Sequence, residues 1–447
     1  MTDHLAKLAG ISWGHFVRWF VLGRVFRIAT QARTLVPASL GVVTTIFGWW
    51  VLAQAFSGTN DRALNALLKS YESCPWTDQS FYSPTWTNWL LPEHEQGLGA
   101  IPENAVLAPA KQLSKPVIRI FDASQTFTGT LFLLLAAVWA AAIWAYFGGM
   151  LTRAALWQLT REEPASIGSV LRHARKRWFS YFTAPLLPLG GVFLVTLVLL
   201  LLGLWMRASL LFGGLFWPLA LIGGITMAVL MIGLLFGWPL MHATISAEGS
   251  DGFDALSRSY SYVFQRPIHY LFYIVAASAL GFAGLMFVQF FAGLVMSLTE
   301  WSVSWGSGRE LMQTATAGNK TAITAGLAGH DRWGVALFTF WKGCIVLAVI
   351  GYAFGYFWTA ISAIYLLLRH DADGAEISEL YQEESPEMRD LPPVVKDAAG
   401  VPTVPTSTAP SSAVPPEASK PEATKPATEP PPPPVSPSDP GAPPSAS

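Results

Sequence analysis

Six stretches of the chain stay apolar for about twenty residues or more, the length that carries a helix across a hydrocarbon core of about 30 Å. They are Val36 to Phe56, Thr126 to Met150, Pro185 to Met206, Phe216 to Ala243, Ile268 to Leu298 and Trp341 to Leu368. The fifth and sixth are long enough to tilt or to begin with an interfacial turn. The pattern predicts an all-α, polytopic membrane helix bundle of six spans. Before it lies a basic interfacial leader over residues 1–35, and the membrane domain runs over residues 36–384 with outer loops at 57–125 and 299–334. A tail over residues 385–447 is rich in Pro, Ala, Ser and Thr and cannot bury enough apolar surface to fold, so it is expected to be disordered.

Two polar breaks between spans share a pattern. Shifted by 86 positions, Arg161 to Phe179 falls on Ala247 to Gln265: Glu162 meets Glu248, Ile167 meets Phe253, Val170 meets Leu256 and Arg172 meets Arg258. Each break joins one span to the next, so spans two and three and spans four and five read as two same-direction repeats. In the second break Phe253, Leu256, Tyr260, Val263 and Phe264 recur as one apolar helix face, with Asp251 as cap and Pro267 as stop. In the first, Ser166 is the cap, Ile167, Val170, Leu171, Ala174 and Trp178 form the apolar side, and Arg172, Arg175 and Lys176 are exposed. Two amphipathic elbows lying flat on one membrane surface are expected.

Charge orients the spans. Lys7, Arg18, Arg24, Arg27 and Arg33 precede span one, and Arg153, Arg161, Arg172, Arg175, Lys176 and Arg177 separate spans two and three. Both groups are expected in the cytoplasm, and with six spans both termini lie there, in a bacterial inner membrane. Aromatic and basic residues of the leader suggest an interfacial amphipathic helix, with Pro37 allowing a turn before span one. Composition agrees: 52% of residues are hydrophobic and 13% charged, against about 25% charged in a soluble domain. Two cysteines, Cys74 and Cys344, are too few for a disulfide framework.

The second elbow, with Glu248, Gly249, Ala255, Leu256, Arg258 and Ser259, resembles the E-G-x-x-x-x-x-A-L-x-R-S signature of glycerophosphoryl diester phosphodiesterase membrane domains and related multi-pass families. The resemblance implies a fold and a location. In that family the membrane region carries no assigned catalytic residues, and this chain shows no matching catalytic block.

Catalytic signatures are scarce: there is no P-loop, H-E-x-x-H or G-x-S-x-G. Glu93, His94 and Glu95 are adjacent and do not converge on one ion. His370 to Glu376 has the flavour of a calcium loop but lacks the late glutamate, and reads better as a polar juncture ending span six. Lys342 is placed to snorkel at the outer interface. Gly281 and Gly284 suit close helix packing or local unwinding. Trp76, Phe81, Tyr82, Trp86 and Trp89 suggest an outer loop hugging the headgroups.

Glu248 and Arg258 either pair across the elbow, or the arginine meets lipid phosphate while the glutamate caps backbone N–H groups. With Glu162, Arg172, Arg175, Lys176 and Arg177 they are the candidate elbow and lipid-facing residues. No catalytic residue, cofactor or metal is expected. The expected function is a non-catalytic integral membrane protein that organises partners or lipids. Its partners would be membrane lipids, including anionic headgroups at the cytoplasmic face, and a protein bound by the Pro-rich tail, where VPTVP, Val401 to Pro405, matches P-x-x-P. Nucleic acid is not an expected partner. The alternative is a carrier for a lipid or small amphiphile, with a mid-membrane cavity near Gln289; an enzyme acting on lipid ranks third.

Overall fold

A computed structural model describes residues 21–59, 61–69, 71, 104–122, 125–316, 329–376, 395–396 and 402–403. Chain contacts divide it into residues 1–382 and 383–447. In the second unit the described residues form only a two-residue antiparallel pair, Val395–Lys396 (β1) with Pro402–Thr403 (β2), Val395 opposite Thr403. The remainder of the expected disordered tail, including its proline run, lies outside the described residues.

The first unit is helical, and six of its helices are long and apolar enough to cross a membrane. The order is α1 (Val21–Ala29), α2 (Ala32–Phe56), α3 (Arg62–Leu68), α4 (Leu107–Ile120), α5 (Phe127–Arg161), α6 (Ile167–Lys176), α7 (Trp178–Ala208), α8 (Leu210–Glu248), α9 (Gly252–Gln265), α10 (Pro267–Ser307), α11 (Arg309–Thr316) and α12 (Gly329–Asp373). The spanning candidates are α2, α5, α7, α8, α10 and α12, matching the six apolar stretches. Several outrun those stretches: α10 continues to Ser307 and α12 begins at Gly329, so much of the expected outer loop 299–334 is helix. Lys342, expected to snorkel, pairs there with Glu300 at 2.5 Å.

The core gathers around α12, whose residues 351–368 are all buried. Without a hydrophobic difference between lipid and protein, spans associate by close packing, and small residues permit it. A Cβ at Gly281 would strike the Tyr356 ring, and one at Gly284 would strike the Tyr352 hydroxyl and the Phe26 ring. These two glycines therefore pack α10 against α12; they do not unwind α10, which is continuous.

The leader departs from expectation. The chain breaks at Thr30 and Gln31, where Gln31 adopts extended dihedrals and the Thr30 hydroxyl bonds back to the Phe26 and Arg27 carbonyls. Pro37 lies inside α2. The apolar face of α1, with Leu22, Val25, Ile28 and Ala29, is buried in the main core, and Phe26 meets Phe287 and Tyr352 edge-on. Over residues 21–29 the amphipathic face therefore meets protein where lipid was expected; the earlier leader residues lie outside the described set.

Inside the expected outer loop 57–125, α4 runs beside α5. Just before α4, Asn104 accepts from the Val106 N–H and donates to the Ser278 carbonyl at 2.8 Å, and Ala105 and Val106 are buried in the same core as Tyr356. Ser278 lies eleven residues into α10, so the segment before α4 reaches well along the bundle. The aromatic residues between Trp76 and Trp89, and Glu93, His94 and Glu95, lie outside the described residues.

Candidate functional site

The two elbows share one construction. A span ends on a left-handed residue, Glu162 (φ 62°) after α5 and Gly249 (φ 64°) after α8, and a capped short helix follows. The Ser166 hydroxyl accepts from Ser169 N–H; the Asp251 carboxylate accepts from Phe253 and Asp254 N–H. Left-handed dihedrals suit glycine, so Gly249 is unstrained, whereas Glu162 adopts them at a cost of order 1 kcal/mol.

In the second elbow Glu248 is the hub. Its carboxylate accepts a 2.6 Å hydrogen bond from the Tyr365 hydroxyl, lies 2.7 Å from Arg258 Nη1 and 3.7 Å from Arg369 Nε, and is only 11% exposed, whereas Arg258 is half exposed. Of the two readings of Glu248 and Arg258, the geometry is that of a pair across the elbow. Two more tyrosines tie this region to the end of α12: Tyr262 of α9 donates to Asp373 at 2.5 Å, and Tyr273 of α10 donates to Asp371 at 2.6 Å. His370 to Glu376 is thus a polar juncture whose aspartates receive tyrosines. Among the described residues no group of three or more His, Cys, Asp or Glu is placed to hold a metal.

Five residues of the second elbow's Glu248–Ser259 run have definite places in this packing. Glu248 takes the ion pair, Gly249 the left-handed cap, Ala255 and Ser259 the buried face, and Arg258 the return charge. Ser259 also approaches the Thr244 hydroxyl at 3.4 Å.

The fully buried side of the second elbow coincides with the expected apolar face at Val263 and otherwise uses other residues. Its buried residues are Gly252, Ala255, Ser259, Tyr262 and Val263, while Phe253 and Phe264 are exposed. A Cβ on Gly252 would lie 2.6 Å from the Thr183 hydroxyl and 3.1 Å from the Ser180 carbonyl, so α9 seats a residue without a side chain against α7 and sends Phe253 and Phe264 outward. The first elbow behaves similarly: Val170, His173 and Ala174 are buried and Ile167 is exposed.

Glu162 meets the other end of the chain. Arg24 of α1 reaches it at 2.5 Å, and this hydrogen bond and charge hold the Glu162 carboxyl below the usual carboxylate range. Arg172, Arg175 and Lys176 lie exposed on α6, and Arg177 is half-buried. Beneath them the His173 ring is 2% exposed, and burial, followed by the Arg153 charge, pushes its pKa down to about 3. The Ser246 hydroxyl lies 2.6 Å from that of Thr152 and 2.7 Å from that of Tyr181, and Arg153 donates to the Ser246 carbonyl at 2.6 Å.

A cavity of about 110 Å³ lies between α4, α5, α7 and α8. Gln289 does not line it, so the cavity stands elsewhere than the carrier reading expected.

Sequence reasoning missed Tyr365, Tyr262 and Tyr273 as partners of these carboxylates. The available signal was a set of tyrosines near the ends of apolar stretches, where a ring can stay in the core while its hydroxyl reaches a polar group. No family model, curated protein or solved structure matches this chain.

Proposed function

We propose that this chain is a non-catalytic integral membrane protein that organises lipids at the cytoplasmic face of a bacterial inner membrane, with the Pro-rich tail recruiting protein partners. The observation that carries the reading is α6: Val170, His173 and Ala174 wedge into the bundle while Arg172, Arg175 and Lys176 face outward. A cation near anionic headgroups adds about 1 kcal/mol of attraction. Exposed Phe253 and Phe264 on the second elbow supply apolar contacts at the same end of the bundle. Glu248 and Arg258 belong to the elbow's internal clamp rather than to its lipid-facing surface. The resemblance of the second elbow to multi-pass membrane domains agrees with this placement.

The test is full-length protein in nanodiscs of mixed phosphatidylcholine and phosphatidylglycerol, with retained lipid counted by native mass spectrometry. Replacing Arg172, Arg175 and Lys176 by Gln is expected to remove the enrichment of phosphatidylglycerol while leaving the fold intact. Unchanged enrichment would sink the reading. The carrier alternative is favoured by one observation, the cavity beside α4, and requires that lipid move between vesicles faster with the protein than without it.

A further inference from the structure

We propose that the slot between α4, α5, α7 and α8 holds one acyl chain of an anionic phospholipid whose headgroup meets the cations of α6. The headgroup half of this statement rests on the function proposed above; the slot half stands on its own lining.

Of the residues around the slot, only Ser114 and His242 carry polar side-chain groups other than the Trp144 and Trp238 indoles; the rest are apolar. Its rim includes Ile118 and Leu235, 54% and 48% exposed, so it opens to the side of the bundle. There α7 and α8, the most apolar spans, bury only 11% of their best windows inside the molecule. The medium at such a face is hydrocarbon. Water in an apolar slot at that position would lack the two to four polar partners it needs.

Size limits the occupant to a single chain. An apolar cavity of about 150 Å³ accepts one benzene ring; one of about 110 Å³ accepts a short run of methylenes. Small residues keep the space open: Ala137, Ala140 and Ala141 clear the α5 wall. The headgroup position follows from connectivity. Helix α6 joins α5 to α7, two of the walls, and the nine residues from Lys176 to Pro185 correspond to roughly 14 Å of helix rise. The polar zone of one leaflet is about 5–8 Å deep, which leaves roughly 6–9 Å for the start of an acyl chain entering the slot. Charge complementarity supplied by Arg172, Arg175 and Lys176 then selects an anionic headgroup over a neutral one.

The experiment uses full-length protein in vesicles of phosphatidylcholine and phosphatidylglycerol, the latter carrying a photoreactive diazirine near the middle of one acyl chain. After irradiation, labelled peptides are mapped by mass spectrometry. Label is expected on residues 113–118, 137–144, 185–189 and 231–242, and Ala141→Phe is expected to reduce it there by roughly tenfold, because a tightly packed wall has no spare volume for both ring and chain. Label on the outward-facing Leu197 and Leu221 should persist. Should Ala141→Phe fail to insert, Leu234→Ala, which widens the slot, must keep or raise the slot label. Slot label absent, or unchanged by Ala141→Phe, overturns the slot while leaving the elbow reading intact. Slot label that is the same with diazirine phosphatidylcholine and survives neutralisation of the three α6 cations overturns the headgroup assignment alone.

Discussion

Tyr365 on the last span donates its hydroxyl to Glu248, 117 positions earlier, at 2.6 Å, while Arg258 closes on the other carboxylate oxygen at 2.7 Å. One acidic side chain thus receives a neutral donor from the core and a cation from the elbow it helps to begin. The two bonds differ in exposure, and that decides how each responds to substitution.

Because Glu248 is nearly buried and Arg258 is half exposed, removing the carboxylate is expected to cost more than removing the guanidinium. Glu248→Gln should destabilise by about 2–3 kcal/mol, since it leaves Arg258 and Arg369 beside a neutral amide. Arg258→Gln should cost about 1 kcal/mol or less after solvent screening, and Tyr365→Phe about 1–2 kcal/mol. Thermal unfolding in detergent, ordered Glu248→Gln > Tyr365→Phe > Arg258→Gln, checks this; a larger loss for Arg258→Gln would refute it.

His173 makes the first elbow acid-sensitive. Its folded pKa of about 3 lies below the ordinary 6.5, so its contribution is complete above pH 6.5 and is lost as the pH falls toward 3, because the unfolded chain takes up the proton first. Between pH 6.5 and 5 the loss is at most about 2 kcal/mol. Hydrogen exchange over residues 167–176 should quicken across that range, and His173→Phe should flatten the dependence.

Gly252 fixes the approach of α9 to α7. Gly252→Ala places a methyl against the Thr183 hydroxyl and the Ser180 carbonyl; Thr183 can rotate, but the carbonyl belongs to backbone. Overpacking of this kind costs about 1–3 kcal/mol. Proteolysis within residues 249–266 should accelerate, whereas Gly168→Ala, where a Cβ meets nothing within 4 Å, should leave its own elbow unchanged.

Asp61 joins the first loop helix to span two. It caps α3 through the Ala63 and Leu64 N–H groups and accepts the Thr126 and Thr128 hydroxyls, and these bonds, the hydroxyls foremost, lower its pKa to about 2. The stabilisation is complete above about pH 4 and lost as the pH falls through about 2. Asp61→Asn should lower the unfolding temperature at neutral pH and narrow its gap to wild type at pH 2.

The number of spans was legible because a bilayer imposes one length on every crossing helix. Both elbow caps, Ser166 and Asp251, were legible too, since unsatisfied N–H groups at a helix start call for short polar side chains. The buried face of the second elbow was not. Grouping Phe253 and Phe264 on one apolar face of a helix lying flat on the membrane did not say which side packs on protein; beside lipid, large apolar rings are at home outside, and the small Gly252, Ala255 and Ser259 win the interior because they let helices approach. The same inversion hid the burial of α1, whose apolar stripe fits a headgroup zone and a protein groove equally well. The Arg258 partner of Glu248 was one of two local readings, but Tyr365 was out of reach for a different reason: it lies beyond an intervening span, and no local spacing reports such a pairing. A cavity was expected near Gln289, a polar residue, but the one described above formed where α4, a helix inside an expected loop, supplies one wall.

The two elbow carboxylates reach in opposite directions along the sequence, Glu162 back to Arg24 and Glu248 forward to Tyr365 and Arg369. Synthesis runs from the amino end, so the partner of Glu162 has already left the ribosome when that glutamate emerges, whereas Glu248 waits through two more insertions for its own. The first elbow's bond therefore needs nothing that follows it in the sequence. Until α12 arrives with Tyr365 and Arg369, Arg258 is the charge the second elbow itself can offer Glu248, so a clamp made of one local and two distant partners can close in two stages.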